Sequence, residues 1–387
     1  MAGNANLGAA KAAKNDEFYT QWSDIENEMQ AYLEYDPDVF RGKVVLLPCD
    51  DPEVSNFTKY FAERFELLGL KRLISTSYAA DGGNGKVFAL EGENEPQWGY
   101  LAGDGDFRSN EVTKLRDEAD MVITNPPFSL FREFMAWLAE SGVKFSVIGN
   151  MNAITYKKIF PLIKGNEMWL GASRMGAKYF ELPSNAPAKA NQHEENGVRL
   201  QKFGNIAWFA NIEHGRRHEP LALMTMEDNL TYGSKRVRQT AYPHYDNYDA
   251  IEVPETKGIP SDYAGVMGVP VSFLDKYSPD QFEILGITKT WDDGAGLKKK
   301  IYPTQTQFSK NGTTSNVGKL NDGAAIPHDT TPENTTYYEV EGQIFTQPYA
   351  RVLIRHRHLA IQPLSRFRSG RSSLRCKRGF SHVEVRG

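Results

Sequence analysis

The chain has 387 residues, 40% hydrophobic and 24% charged, with 45 basic against 49 acidic side chains and a formal charge of −4. That length admits two domains of ordinary globular composition, and the acidic balance argues against binding a polyanion through overall charge. Two cysteines, Cys49 and Cys376, exclude a disulfide framework and a cysteine zinc site, and suit a reducing, cytoplasmic setting.

Residues 1–13 are small and polar, carry neither a signal-type apolar core nor a membrane span, and are expected to form a disordered leader. Ser23-Asp24 ahead of Ile25, Met29, Tyr32 and Leu33 predicts an N-capped amphipathic helix. Lys43–Leu47 reads as a buried strand stopped at Pro48, and Ser55 opens a helix with Phe57, Tyr60, Phe61, Phe65 and Leu68 at helical spacing. Arg72–Tyr78 is a second strand, Asp81–Gly85 a turn, and Val87–Leu90 with Trp98–Leu101 an inserted hairpin. A helix over 110–118, a strand at Asp120–Thr124, a helix capped by Ser129 with core residues Phe131, Phe134, Trp137 and Leu138, and a strand at Lys144–Gly149 follow. Alternating strand and helix from 43 to 149 predict an α/β fold with a doubly wound, mostly parallel sheet. Short strand-like runs at 169–171, 179–182, 206–210 and 221–223 predict antiparallel structure with long loops, and Thr304–Asn321 reads as a loop able to order on a ligand. The domain boundaries expected are 14–165 for a catalytic unit, 166–355 for a recognition region and 356–387 for a basic tail. Residues 351–387 hold ten Lys/Arg and one acid, Glu384, so positions 1–350 carry 35 basic and 48 acidic residues, or −13. The tail reads as a solvated, disordered end, since the apolar periodicity stops near Ile354, the alternative being electrostatic contacts to phosphates.

Asn125-Pro126-Pro127-Phe128 follows the apolar run Met121–Thr124. Neither proline can donate to a strand ladder, so the chain must leave the sheet there, with Asn125 at the carboxyl lip where open α/β sheets bind ligands. The Asn125 side-chain oxygen and the Pro126 carbonyl can both accept from one exocyclic amine, and Phe128 offers a flat face to a ring. Acceptors around an NH₂ group hold its lone pair out of the ring and make the nitrogen more nucleophilic. A plain strand-ending turn is the bland alternative for the tetrapeptide alone.

The wider string resembles the adenine-specific DNA methyltransferases of the EcoRI modification type. The resemblance runs through Asp16–Gln21, Asp24–Glu28, Cys49-Asp50-Asp51-Pro52, Ser55-Asn56-Phe57 and Lys59-Tyr60-Phe61 to Asn125–Phe128; it is good over residues 14–165, thinner to about 355 and absent beyond. It implies a Rossmann-like methyltransferase fold, S-adenosylmethionine as cofactor, and transfer to N6 of an adenine flipped from double-stranded DNA, by a monomer. It also implies a cognate restriction endonuclease in the same system, or phage DNA protection, and a cytoplasmic, nucleoid-associated location. Asn125, Pro126, Pro127 and Phe128 would be the catalytic residues, and no metal is implied.

For the cofactor, the turn after the first strand lacks the usual glycines. Asp50 or Asp51 can take the cofactor ammonium, the alternative being an Asx turn and helix cap into Pro52. Phe18-Tyr19-Thr20 resembles the family element that folds back over the methionine end, where Thr20 would contact the carboxylate. In Gly103-Asp104-Gly105-Asp106-Phe107, the Asp106 carboxylate can accept from the adenine amine with Phe107 against the ring; a plain Gly/Asp turn is the alternative, and a calcium loop of EF-hand type does not fit the spacing.

Three basic clusters lie in the second region: Arg216-Arg217-His218, Lys298-Lys299-Lys300, and Lys235, Arg236 and Arg238 between Tyr232 and Tyr242. The last is favoured for phosphate and base contacts, with solvated surface charge as the alternative. Methyl transfer to RNA or to a protein glutamine, and an inactive DNA-binding relative, are the competing readings. A nicotinamide-type dinucleotide site is disfavoured by the missing G-x-G-x-x-G.

Overall fold

The structure is a computed structural model that describes residues 19–182, 192–316 and 318–358. The leader, Phe18 and all but the first three residues of the basic tail lie outside the described residues.

Eleven strands build one mixed sheet: β1 (Tyr19–Thr20), β2 (Val44–Leu47), β3 (Arg72–Thr76), β4 (Lys86–Glu91), β5 (Gln97–Tyr100), β6 (Met121–Thr124), β7 (Lys144–Asn150), β8 (Trp169–Leu170), β9 (Gly176–Glu181), β10 (Gln192–Glu195) and β11 (Val198–Ala210). Their order is β1-β9-β11-β7-β6-β2-β3-β4-β5, with β8 and β10 also on β11. The expectation of a mostly parallel sheet holds only for the centre: β7, β6, β2 and β3 run parallel, and every pairing outside them is antiparallel. The flanking strands arrive by hairpins such as β4–β5 rather than by helical crossovers, and a hairpin forces antiparallel pairing.

The central strands are apolar on both faces, as strands covered on both sides must be. Val45, Leu47, Leu73 and Ile123 pack under α1 (Trp22–Tyr35), α2 (Asn56–Glu63) and α3 (Phe65–Leu68). Val44, Leu46, Ile74 and Val122 pack with α4 (Asn110–Glu118) and α5 (Phe131–Ser141). Phe131 and Phe134 belong to that core, as expected. Ser55 caps α2 by accepting from the Phe57 N–H at 3.1 Å. Ser23 caps nothing: α1 already begins at Trp22, Gln21 precedes it without a side-chain cap, and Asp24 instead pairs with Lys178 at 2.7 Å.

The large sheet extends past the expected boundary at residue 165. β11 continues the sheet beyond β7, with Ile206–Ala210 opposite Asn150–Ser146. Next come α6 (Phe160–Lys164), α7 (Met226–Tyr232) and α8 (Lys235–Thr240). The remaining strands are β12 (Ile251–Glu252), β13 (Met267–Pro270), β14 (Phe282–Ile287), β15 (Thr306–Phe308), β16 (Thr314–Ser315), β17 (Ile326–His328), β18 (Tyr337–Val340), β19 (Gln343–Thr346) and β20 (Arg351–His356). They form a four-stranded sheet, β12-β13-β20-β14, and a five-stranded one, β16-β15-β18-β19-β17. One apolar cluster runs from α5 and β7 through α6 to β13, β14 and β20, so the first small sheet packs onto the large one.

Thr304–Asn321 is not an open loop. β15 pairs with β16 and β18, Phe308 stacks on Tyr337 at 4.8 Å, and the Gln305 side chain accepts from the Leu320 N–H at 2.7 Å. Among the described residues no helix is long and apolar enough to cross a membrane.

Candidate active site

From β2 the chain passes to β3 on one side and later to β6 on the other. The crevice between the carboxyl ends of β2 and β6 is therefore the topological switch point, where such sheets take ligands. Asn125–Phe128 leaves β6 at that crevice. Asn125 and Phe128 are half-buried and Pro126 is buried. The double proline sends the chain into a 3₁₀ turn, Phe128–Leu130, closed by the Leu130 N–H on the Pro127 carbonyl at 2.9 Å. That turn absorbs Ser129, so α5 starts after Leu130 with no side-chain cap and the expected Ser129 cap does not form. The Phe128 ring stands edge-on to Phe180 (6.0 Å) and Phe203 (5.8 Å), which fix its plane from β9 and β11.

Asp50 closes the other side of the crevice. Its Oδ1 accepts from the Ser55 hydroxyl at 2.7 Å and its Oδ2 from the Thr124 hydroxyl at 2.5 Å. Its N–H donates to the Thr76 carbonyl at 3.0 Å, and its own carbonyl accepts from Ser75 Oγ at 2.6 Å. The carboxyl thus ties the end of β2 to the residue before Asn125 and to the cap of α2. Burial pushes its pKa up to about 7, against the opposing pull of the Thr124 and Ser55 hydroxyls. Asp51 points elsewhere: it accepts from the Glu53 N–H at 2.9 Å in an Asx turn and pairs with Lys86 at 3.0 Å.

Thr20 is 2% exposed, and its hydroxyl has no hydrogen-bond partner among the described residues. The Thr20 carbonyl accepts from Asn56 Nδ2 at 2.8 Å, which ties β1 to the same α2 terminus that Ser55 caps. Tyr19 and Thr20 lie on β9 opposite Glu181 and Phe180, the latter touching Phe128. Thr20, Asp50 and Asn125 are therefore brought together through Asn56, Ser55 and Thr124. Phe18 lies outside the described residues.

The Gly103–Phe107 reading changes. Gly105 has φ +81°, and a Cβ there would meet the Ser77 carbonyl, so the turn is pressed backbone to backbone against the chain leaving β3. Phe107 is 4% exposed, edge-on to Phe134 (5.0 Å) and Trp137 (5.6 Å), so it fills the core and shows an adenine no open face. Asp106 is paired with Arg108 at 2.6 Å, and Arg108 reaches on to Glu133 at 2.7 Å. No cluster among the described residues could hold a metal ion.

The basic clusters separate by partner. Arg217 is buried, pairs with Glu213 and lies over the Trp169 ring at 3.8 Å; Arg216 donates to the Ala172 carbonyl; His218 contacts Asp280 at 3.0 Å. Lys300 pairs with Asp246 at 2.9 Å, and Lys298 donates to the Asn321 carbonyl at 3.2 Å. Lys235, Arg236 and Arg238 are exposed on α8, beside Tyr232 at 77% exposure. Tyr242 is instead buried, its hydroxyl donating to the Gly258 carbonyl at 2.6 Å, so it is removed from that surface.

The family model described as "Adenine-specific methyltransferase EcoRI" matches residues 6–99 and 90–357. The chain belongs to this family. It is an adenine-specific DNA methyltransferase. The chain is 42% identical over 315 residues to the Type II methyltransferase M.EcoRI of Escherichia coli, covering 76% of this chain and 93% of that one. It is 38% identical over 280 residues to the Type II methyltransferase M.MpnI of Mycoplasma pneumoniae, covering 71% and 83%. Among solved structures there is no match. The family match ends at residue 357, just past β20, and leaves the basic tail outside it.

Sequence reasoning missed Thr124, Ser55 and Asn56 as parts of one network. A signal existed for Thr124: a hydroxyl ending an otherwise apolar buried strand needs a partner at the lip. Phe180 and Phe203 carried none, because their nearness to Phe128 depends on β9 and β11 joining the catalytic sheet.

Proposed function

We propose that this methyltransferase transfers a methyl group from S-adenosylmethionine to N6 of an adenine extruded from duplex DNA, on a doubly wound, Rossmann-like core. The observation that carries the reading is Asn125–Phe128 at the switch-point crevice, joined through Thr124 to Asp50 and through Ser55 and Asn56 to Thr20. The buried, unpartnered Thr20 hydroxyl suits the cofactor's carboxylate. Both Asp50 oxygens are already engaged and Asp51 already holds Lys86, which favours main-chain carbonyls of this crevice over either carboxylate for the ammonium.

S-Adenosylmethionine, when bound, supplies a methyl group on a positively charged sulfur, so no metal or covalent enzyme intermediate is required. The protein's part is positioning and electrostatics. Asn125 and the Pro126 carbonyl accept from the amine and keep its lone pair available. Phe128, braced by Phe180 and Phe203, stacks the base, and stacking worth about 1–3 kcal/mol offsets part of the cost of extruding it. A new N–C bond forms as the S–C bond breaks, and the amine's extra proton leaves to solvent. Lys235, Arg236 and Arg238 on α8 supply phosphate contacts, and the C-terminal sheets supply target recognition. A monomer in the cytoplasm, acting opposite a restriction endonuclease, is the setting this chemistry suits.

Tritium transfer from S-adenosylmethionine into unmethylated duplex DNA, with hydrolysed product scored for N6-methyladenine, tests the reading. Label in N6-methyladenine is expected; label only in RNA or glutamine acceptors would overturn it.

A further inference from the structure

We propose that the loop after β7, together with the start of α5, is a phosphate-binding rim that clamps the duplex backbone beside the target adenine. The proposal rests on the DNA methyltransferase reading and adds a surface distinct from α8.

β6 and β7 are parallel neighbours with Thr124 opposite Val147, so Asn125–Leu130 and the chain after Asn150 leave the same edge side by side. Residues 150–166 contain Lys157, Lys158 and Lys164 and no acid. From Met121 the first acid is Glu133, and Arg108 already occupies it at 2.7 Å. In a chain with more acids than bases, these two segments together carry Arg132, Lys157, Lys158 and Lys164 against Glu133 alone.

The cations stand on a fixed support. Ala153 and Ile154 on one side of the lysines, and Ile159 and Phe160 on the other, are buried in the core. Asn150 Oδ1 accepts from the Asn152 N–H at 2.9 Å and caps the turn. The exposed Arg132, second residue of α5, lies over the Tyr156 ring at 5.4 Å and joins the two loops. Across the lip, the Tyr349 hydroxyl donates to Asn152 Oδ1 at 3.2 Å, while its carbonyl accepts from the buried Arg351 at 3.1 Å. Tyr349 remains 57% exposed. Lys157 and Lys158 are exposed, and no ion pair within the described residues engages them.

A base leaving the helix rotates about its own backbone, so the phosphates flanking it must be held at the mouth of the pocket. A rigid pair of cations one strand away from Asn125 can do that without reading sequence. Double-stranded DNA is the committed occupant, because the rim adjoins the crevice proposed to receive the extruded adenine.

The test is the salt dependence of duplex binding by the full-length chain, wild type beside Lys157→Ala/Lys158→Ala. A control, Lys71→Ala/Lys144→Ala, removes the same charge at the amino-terminal edge of the sheet, where both lysines are exposed. Each lost phosphate contact lowers the slope of log K against log[salt] by about 0.9. A fall of about 1.8 in the rim variant, alike on specific and non-specific duplexes, is expected, with the control slope and S-adenosylmethionine affinity unchanged. A rim variant with the wild-type slope, or equal falls in rim and control, would overturn the proposal. Tyr349→Ala removes no charge and is expected to keep the slope; a fall equal to that of the rim variant would overturn the assignment to the two lysines. Wild-type protein that binds no duplex would instead refute the underlying reading.

Discussion

Two buried carboxylates, one at the crevice between β2 and β6 and one in the C-terminal sheet, are held by opposite means. Glu252 on β12 is 2% exposed, accepts three hydrogen bonds from the Arg351 guanidinium at 2.6–3.1 Å, and takes a fourth from the Tyr245 hydroxyl. Burial alone would lower the Arg351 pKa, but the hydrogen bonds and charge of Glu252 outweigh it and raise it. Asp50 is 5% exposed and its two oxygens accept from hydroxyls. One acid fastens strands with a full charge pair. The other has no charged partner and gives its two oxygens to hydroxyls, one of them on Thr124, the residue before Asn125. The contrast separates a stability device from a positioning device, although both are buried carboxyls at strand ends.

The largest expected effect breaks the first device. Glu252→Gln leaves the Arg351 charge buried without its partner, at a cost of about 3–5 kcal/mol. Thermal unfolding should shift down strongly while turnover per folded molecule is kept. An unchanged melting temperature would erase the contrast.

Thr124→Val strikes the second device. Losing the 2.5 Å bond should lower kcat about 10–100-fold, or ~1.4–2.8 kcal/mol of barrier, with cofactor affinity nearly unchanged and Thr124→Ser restoring the rate. A raised KM for the cofactor at constant kcat would place Asp50 on the cofactor instead. The melting shift should be smaller than that of Glu252→Gln.

The central α/β unit was legible because its strands are short apolar runs bounded by turn residues, and its helices show their buried stripe. Asn125–Phe128 was legible for a backbone reason, two residues without N–H groups after a buried strand. Phe107 was misread because an aromatic beside a Gly-Asp turn looks the same whether it faces a ligand or Phe134 and Trp137. After residue 165 only β8, β9 and β11 were legible as strand-like runs, and residues 221–223 form no strand. The return of β11 to the large sheet was not legible, since its pairing with β7 is a contact between distant segments that periodicity does not encode. Charges were least legible. Arg217 and Lys300 look like α8's cations in sequence, yet each meets an acid in the fold.

That last difference gives the next test. Replacing Lys235, Arg236 and Arg238 by alanine should lower the salt slope of DNA binding by about 2.7 if each meets a phosphate. Lys298→Ala/Lys300→Ala should leave the slope near the wild-type value. Equal effects from both sets would mean that paired and unpaired charges act alike.

A further effect is a pH dependence of stability. An acid whose folded pKa is raised binds its proton more tightly when folded. Its contribution is therefore fully present below the unfolded value near 4 and is lost as pH rises towards about 7. Asp50→Asn should remove that component, so the difference between wild-type and variant melting temperatures should fall between those pH values and level off above. A difference that is flat with pH would show that Asp50 titrates alike in the folded and unfolded chain.

Methyl transfer by Asn125→Ala tests the central claim most directly. With tritiated S-adenosylmethionine and saturating unmethylated duplex, we expect the variant to lose at least about 100-fold in label appearing as N6-methyladenine, the scale set by removing one preorganised polar group. Duplex and cofactor affinities should stay within a few-fold of wild type. Retention of wild-type transfer would contradict the account, since the amine would then be held by something other than the lip of β6.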